Sequence, residues 1–454
     1  MSFRATLVTS LVALGIASMA VSGAQAQSIT QALTRAYEYA PDLQSALLAA
    51  KSAAENVALA KAGKLPTIGA SIGGTYAGTL TEGGFAGGPS LTTGLTYNQT
   101  IFDNFRTDAE IEAARAGAEA AEFQIRNTEQ NVLLSVIQAY MSVLSDRQLV
   151  SLRRENVSFF TAQLQSSQDR LDVGEGTRID VAQARARLAQ GQATLDAAVN
   201  SLEISEATFQ RYVGAPPQNL DGGHNYNRLV PRNLQAAISE AETGHPAILG
   251  AKAAIRAAQA NSDGAQAEFG PTASITGQVG SRWSQSSAGS TGSLNGSVGF
   301  QITVPIYAGG AIGASVRRAN IEQIRSEVDA MSALDQIRES VISAWAGIQS
   351  ADAQISAANA AVSAGREVVE GVIQERDLGT RTTLDVLNAQ AELTTAREGL
   401  ITASSNKVVA TFSLLAAMGN LTATDLSLPV EVKSAVRYNQ AVEDVWQELR
   451  TIAE

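Results

Sequence analysis

Residue types that make and break bonds are scarce in this chain. Its 454 residues hold two histidines, His224 and His245, and no cysteine. Without cysteine there is no thiol nucleophile, no disulfide framework and no thiolate metal site. No glycine-rich phosphate loop follows a strand-like segment. Carboxylate pairs such as Glu110 and Glu112 recur at the spacings of solvated helical faces. Catalysis is therefore not expected, and neither is a metal ion nor a cofactor. Lys and Arg number 33 against 44 Asp and Glu. That acidic balance argues against nucleic acid, which recruits basic patches.

The remaining signals are architectural. Arg4 gives a short basic start, residues 7–20 are apolar and uncharged, and Ala24-Gln25-Ala26 offers a small-x-small cleavage site. Residues 1–26 thus read as a secretory signal peptide. The apolar run is short for an anchor, since spanning a bilayer takes about 20 apolar residues. Loss of Arg4 with the leader takes the formal charge from −11 to −12. No cysteine at the cleavage site can carry a lipid. No later stretch of about 18 residues is both apolar and charge-free, so no transmembrane helix is expected. Aromatics are only 5% of residues, while Ala and Gly abound. So few large side chains favour an extended architecture over several globular cores.

The chain is written twice at an offset of 205 residues. Pro41 matches Pro246, Pro66 matches Pro271, and Ile101-Phe102 match Ile306-Tyr307. Tyr140 matches Trp345, Gly174 matches Gly379, Asp180-Val181 match Asp385-Val386, and Gly214 matches Gly419. One register held over so many landmarks is a duplication. Residues 27–214 form the first copy and 246–419 the second. Residues 215–245 are a turn-rich linker and equatorial segment, and 420–454 a C-terminal equatorial segment.

Each copy contains two segments of period-2 alternation, the strand signature. Residues 67–80 place Ile68, Ala70, Ile72, Tyr76 and Leu80 on one face, and residues 90–102 place Leu91, Leu95, Tyr97 and Ile101 there. The second copy gives Ala273, Ile275, Val279 and Trp283, then Leu294, Val298, Phe300, Ile302, Val304 and Ile306. TEGGFAGGP and SQSSAGSTG between the paired strands read as turns. A half-buried sheet of a soluble domain shares this alternation. Small uncharged polar faces, with Trp283, Tyr307 and Phe102 near strand ends, favour a transmembrane barrel. Four strands cannot close one, because an open edge in lipid leaves backbone groups unpaired. The smallest closed barrels have about 8 strands, so two or three chains must share one.

Residues 103–173 contain no proline and one glycine, Gly117. They predict one helix of about 70 residues, roughly 105 Å long. Residues 311–378 repeat it, with Gly313, Gly347, Gly365 and Gly371 as weak points. Each helix meets a short break, at 174–177 and at 378–382, and a second helix returns. The returning helices carry sevenfold seams, Val181, Leu188, Leu195, Leu202, Phe209 and Val386, Leu393, Leu400, Lys407, Leu414. Ala389, Ala396, Ala403 and Ala410 follow three residues on. This is coiled-coil patterning.

These features resemble the TolC family of outer-membrane channels over nearly the whole chain beyond the leader. The most specific residues are Gly379-Thr380-Arg381-Thr382 followed by Leu384-Asp385-Val386-Leu387. Their sisters are Val173-Gly174, Asp180-Val181 and Gln183-Ala184. The resemblance implies an α+β membrane protein, a TolC-like trimer. Its 12-stranded β-barrel, four strands per chain, would sit in outer-membrane lipid and continue into a long α-helical periplasmic barrel. A periplasmic adaptor and an inner-membrane ABC or proton-driven transporter would dock on its entrance. Drugs, small toxic molecules or secreted proteins would pass through.

The resemblance also carries roles to particular residues. Arg381 would hold the entrance shut by a link to a neighbouring tip, with Asp180 as partner. Gln163 matches a further gate position. Asp385 matches a pore-lining acid, and three copies would form a ring that attracts cations. Two positions depart from the pattern. Asn388 stands where well-known members carry a second acid, so one acidic ring is expected. Arg376 stands where they carry a gating tyrosine, which sets a basic group near Asp385. Val173, Gly174, Leu378 and Gly379 form the tips that would meet the adaptor. Plainer roles fit as well: Arg381 capping turn carbonyls, and Asp385 favoured by the helix dipole. A secreted trimeric coiled-coil structural protein or adhesin is the rival reading. It shares the leader and the heptads but needs no two-faced strands.

Overall fold

The computed structural model of the chain describes residues 27–445 apart from 83, 224, 225, 287, 288 and 444. The signal peptide expected at residues 1–26 lies outside the described residues, as does His224. Helix α1 (Ile29–Tyr39) and α2 (Pro41–Ala62) lead into the hairpin β1 (Thr67–Thr81) and β2 (Gly84–Phe102). Helix α3 (Arg106–Asp172) then descends and α4 (Arg178–Val213) returns. The second half repeats this as α5 (Leu234–Gly244), α6 (Pro246–Ala267), β3 (Thr272–Ser286), β4 (Gly289–Thr303), α7 (Ala311–Asp377) and α8 (Thr383–Met418). A short α9 (Val436–Val442) follows.

The 205-residue offset is kept down to the helix ends. Helices α3 and α7 are both 67 residues, and α4 and α8 both 36. At 1.5 Å per residue the long pair extend about 100 Å. Helix α5 lies inside the segment expected to be a linker, and it is the counterpart of α1 at that same offset. Its only cue was a short apolar pattern, Ala237, Ile238 and Ala241, all now buried.

The sheet runs β1-β2-β3-β4, every neighbour antiparallel, with β1 and β4 left as open edges. Both hairpins are longer than the alternation suggested. The stretches TEGGFAGGP and SQSSAGSTG are mostly strand, and the chain reverses tightly at Gly84 (φ 105°) and Gly289 (φ 123°). Glycine tolerates that backbone where other residues are strained. The β1–β2 ladder continues six pairs beyond Ser90, where its pairing with β3 stops, and so overhangs the sheet.

Register assigns the two faces cleanly. Trp283 lies opposite Leu91, Val279 opposite Leu95, and Ile275 opposite Phe300. Ile68, Ile72, Tyr76 and Leu80 share that apolar face through their own pairings. A few polar groups stray onto it, and two pairs of them bond each other: Thr93 Oγ1 lies 2.8 Å from Ser281 Oγ, and the Tyr97 hydroxyl donates to Gln99 Oε1 at 2.5 Å. Such self-pairing is what a hydrocarbon-facing surface would require, because lipid offers polar groups no partner. The opposite face is built from Ser, Thr, Gly, Asn and Gln, with alanine in the β1–β2 overhang and one charged residue, treated below.

The main apolar core sits midway along α3, not in the sheet. Leu133, Ile137 and Tyr140 are fully buried against Leu33, Tyr37, Phe209 and Phe412. The C-terminal segment wraps this core. Glu129, fully buried, accepts the Ala423 N–H at 2.6 Å, and Glu122 accepts the Ala435 N–H at 2.9 Å. Burial pushes the Glu129 carboxyl above its ordinary value, against the pull of the Ala423 N–H and Arg126. Glu129→Ala would strand that N–H and remove the partner of Arg126. We expect a loss of about 2–4 kcal/mol, read as a lower denaturant midpoint with early proteolysis after residue 420.

Helix α8 has an 18-residue window of mean hydropathy 1.3, enough by length and composition to cross a membrane. A third of that window is buried, and α8 packs on both α7 and α3. Its seam is interrupted by Lys407, whose Nζ reaches Asp352 on α7 at 2.7 Å. These contacts make α8 a bundle helix.

Candidate functional site

Two helix-turn-helix tips close the end of the chain farthest from the sheet. The first lies between α3 and α4, the second between α7 and α8. Both are made the same way. Gly174 (φ 81°) and Gly379 (φ 80°) reverse the chain in the left-handed region. The N–H groups of Glu175 and Thr380 then return to the carbonyls of Arg170 and Glu375. Thr177 and Thr382 start the returning helices with reciprocal caps. Val173 and Leu378 stand at the outer edges, 72% and 81% exposed. Apolar side chains this open at a turn are available to a partner.

Asp180 and Asp385 complete those caps. Asp180 Oδ2 accepts from Thr177 N at 3.0 Å and Thr177 Oγ1 at 2.6 Å. Asp385 Oδ2 accepts from Thr382 N at 2.9 Å and Oγ1 at 2.8 Å. The Thr382 N–H and then its hydroxyl hold the Asp385 carboxyl below the ordinary range, helped by the nearby Arg381 charge. The carboxylate stays charged at neutral pH and faces water. Its capping role is structural, and it leaves a negative charge at the tip.

Within one chain Arg381 does not meet Asp180. Its Nε lies 2.8 Å from Glu375 Oε2 across the turn, and both side chains are half exposed. Exposed pairs of this kind are screened by solvent and contribute little. Arg381 is therefore held loosely enough to exchange partners.

Gln163 and Arg376 are brought together. Arg376, 8% exposed, donates from Nη1 to Gln163 Oε1 at 2.5 Å. It also donates from Nε and Nη2 to Asp377 Oδ1 at 3.0 and 2.7 Å. This bond joins α7 to α3 just above the tips. Asn388 is also engaged: Arg187 Nη2 on α4 donates to its Oδ1 at 2.9 Å.

These two bonds belong to a ladder that ties the α3–α4 coil to the α7–α8 coil. Higher rungs are Thr394 with Asn156 at 3.3 Å, Arg397 with Glu155 at 2.8 Å and Arg153 with Glu398 at 2.6 Å. The Arg153–Glu398 rung is a close ion pair between two partly buried side chains. An apolar knot of Phe160, Ala184 and Leu387 sits among the rungs. Sequence reasoning missed Arg187, Glu155, Arg153, Arg397 and Glu398. Opposite charges on α3 and α8 were visible, but the register that pairs such distant segments was not.

His245 is 4% exposed and caps α6 through Nδ1, which accepts the Ala247 N–H at 3.1 Å. Burial lowers its pKa. Among the described residues no group of three or more His, Asp and Glu is placed to hold a metal ion.

The chain matches the family model described as outer membrane efflux protein over residues 32–215 and 237–420. It is 34% identical over 447 residues to the outer membrane efflux protein BepC of Brucella suis, covering 98% of this chain and 97% of that one. It is 24% identical over 416 residues to the outer membrane protein TolC of Escherichia coli, covering 88% and 84%. In fold it is similar to the Campylobacter jejuni CmeC outer membrane channel. That match has a TM-score of 0.76 at 16% identity and covers 92% of this chain and 89% of that one. The duplicated strand-and-helix unit, the two-faced sheet and these matches together place the chain in the outer membrane efflux protein family, as an outer-membrane efflux or secretion channel.

Proposed function

We propose that three copies of the chain form one duct whose periplasmic entrance is an iris built from the tips. The observation that carries this reading is the sheet. Its four strands have two open edges and one largely apolar face. An open edge is not tolerated in lipid. Three chains supply 12 strands, a size within the closed-barrel series. The long helices then continue the tube about 100 Å into the periplasm.

At the entrance, Arg381 exchanges its exposed Glu375 partner for Asp180 on a neighbouring tip. The rungs from Arg376 to Gln163 and from Arg187 to Asn388 hold the two coils of each chain together. Val173, Gly174, Leu378 and Gly379 receive a periplasmic adaptor, which trades these contacts for its own. An inner-membrane ABC or proton-driven transporter supplies the energy. The channel does no chemistry, and it needs neither cofactor nor metal. Residues 27–214 serve as one structural copy and 246–419, preceded by α5 as the counterpart of α1, as the other, while residues around 220–229 and 421–435 form a girdle on the α3 core.

Reconstitution in planar bilayers tests this reading. The purified protein should give long-lived, small conductance steps. Asp385→Asn should lower cation preference and weaken block by multivalent cations added on the tip side about tenfold, as expected when an acidic ring loses its charge. Unaltered block would leave Asp385 as a helix cap alone. A protein that stays soluble without detergent and forms no channel would favour the stalk or adhesin reading.

A further inference from the structure

The four strands contain one charged residue, Arg282. It alternates with Ser281 and Trp283, so it lies on the polar face of β3. Register sets Thr92 and Ser293 directly beside it. Asn295 pairs with Gly280, and Gln278 with Thr96 and Ser297, just below. None of these neighbours carries a charge. Among the described residues no hydrogen bond or ion pair engages the guanidinium, and the side chain is exposed.

The acids nearest in register are remote. Arg282 aligns with Thr92 and, through it, with Gly73, nine residues before Glu82 at the β1–β2 hairpin. At 3.3 Å per residue that is about 30 Å along the ladder. Asp103 lies at the other end of the sheet, buried and turned onto the Thr107 N–H at 2.9 Å. Arg282 is four residues from the end of β3 at Ser286 and ten from its start at Thr272. It therefore sits about 13 Å below the hairpin end and about 33 Å above the helical end.

An arginine without a partner is not needed for a hydroxyl-lined wall. Its five donors and fixed charge suit carboxylate, sulfate and phosphate groups. We propose that Arg282 forms, in the outer half of the barrel, a threefold basic ring that binds anionic groups of solutes in transit. This rests on the three-chain duct proposed above, because only a closed barrel turns this face into a lumen. The acidic tips and this ring then give the duct opposite charge at its two ends. Cations are concentrated at the entrance and anions at the exit, and an open basic ring near the mouth draws anionic cargo outward.

The experiment uses the full-length protein in planar bilayers, with R282A and R282K beside the wild type. Tripolyphosphate is added on the hairpin side, and the reversal potential is measured in a salt gradient. Wild type and R282K should be blocked at similar concentrations. R282A should need about tenfold more blocker, and its reversal potential should move toward cation selectivity. Wild-type channels whose block and reversal potential match those of R282A would overturn the ring, as would R282K behaving like R282A. A wild-type preparation that gives no channels at all would overturn the duct reading, and the ring with it.

Discussion

Arg376→Ser is expected to raise the single-channel conductance severalfold by releasing the entrance. The argument is one of burial and number. The Arg376–Gln163 bond joins α7 to α3, and the two residues are only 8% and 9% exposed. A hydrogen bond to a charged group contributes about 1.5–3 kcal/mol, and solvent screening discounts it little here. In the proposed duct three copies would act together, and this contact would favour the closed state by about 5–9 kcal/mol. Inverting a two-state population from 1:99 to 99:1 takes about 5.5 kcal/mol. This contact alone is thus large enough to decide the state. The exposed Arg381–Glu375 pair is not. Arg381→Ser combined with Asp180→Ala should therefore open the channel less than Arg376→Ser does. Arg376→Lys should recover part of the closed state, since it keeps the charge but loses the forked geometry. Equal conductance for Arg376→Ser and wild type would remove Arg376 and Gln163 from the lock.

That ranking differs from the one the sequence suggests, and the reason is physical. GTRT marks Arg381 because the turn is conspicuous in the sequence. Nothing there reports that Glu375 lies within reach across the turn. Arg376 looks like a departure from pattern, a charge on a helix that could as well face water. Its burial depends on where α3 passes, and α3 belongs to the other copy of the repeat. Features set by local rules were legible. The glycine at each tip, the cap after it, the strand faces and the long helices follow from glycine backbone freedom, capping chemistry and periodicity. Features set by pairing between distant segments were not. The Arg187–Asn388 rung and the overhang of the β1–β2 hairpin both depend on register, and a glycine-rich strand shows weak register in its pattern.

Ile324→Asp combined with Val328→Asp should leave each chain folded and abolish the trimer. Helices α3 and α7 are equal in length, yet buried side chains recur all along α3, whereas on α7 only Val341, Ala351, Val369 and Arg376 are buried. The difference has a geometric source. Helix α6 packs on both α7 and α3. Where it meets α3, Glu119 pairs with Arg256 at 2.6 Å and the Phe123 Cβ passes close to Gly250, and Ala116, seven residues before Phe123 and so on the same helical face, is 1% exposed. Adding 205 to these positions gives Ile321, Ile324 and Val328, which are 57–63% exposed, and Met331 extends the stripe. The counterpart of α6 is α2, which packs on α3 of its own chain. If the repeat unit recurs around the tube, α2 of the next chain covers this stripe as α6 covers α3. Each large apolar side chain so buried contributes about 1.5–3 kcal/mol, and the stripe recurs at three interfaces. Two aspartates there would be desolvated without partners, at a cost of several kcal/mol per ion. In the separated chain they are surface substitutions, with effects of about 0.5 kcal/mol or less. Light scattering in detergent should report monomer for the double variant, with helix content by circular dichroism unchanged. A trimer of undiminished thermal stability would show that this face of α7 is not the seam, and the repeat would then govern the chain without governing its assembly.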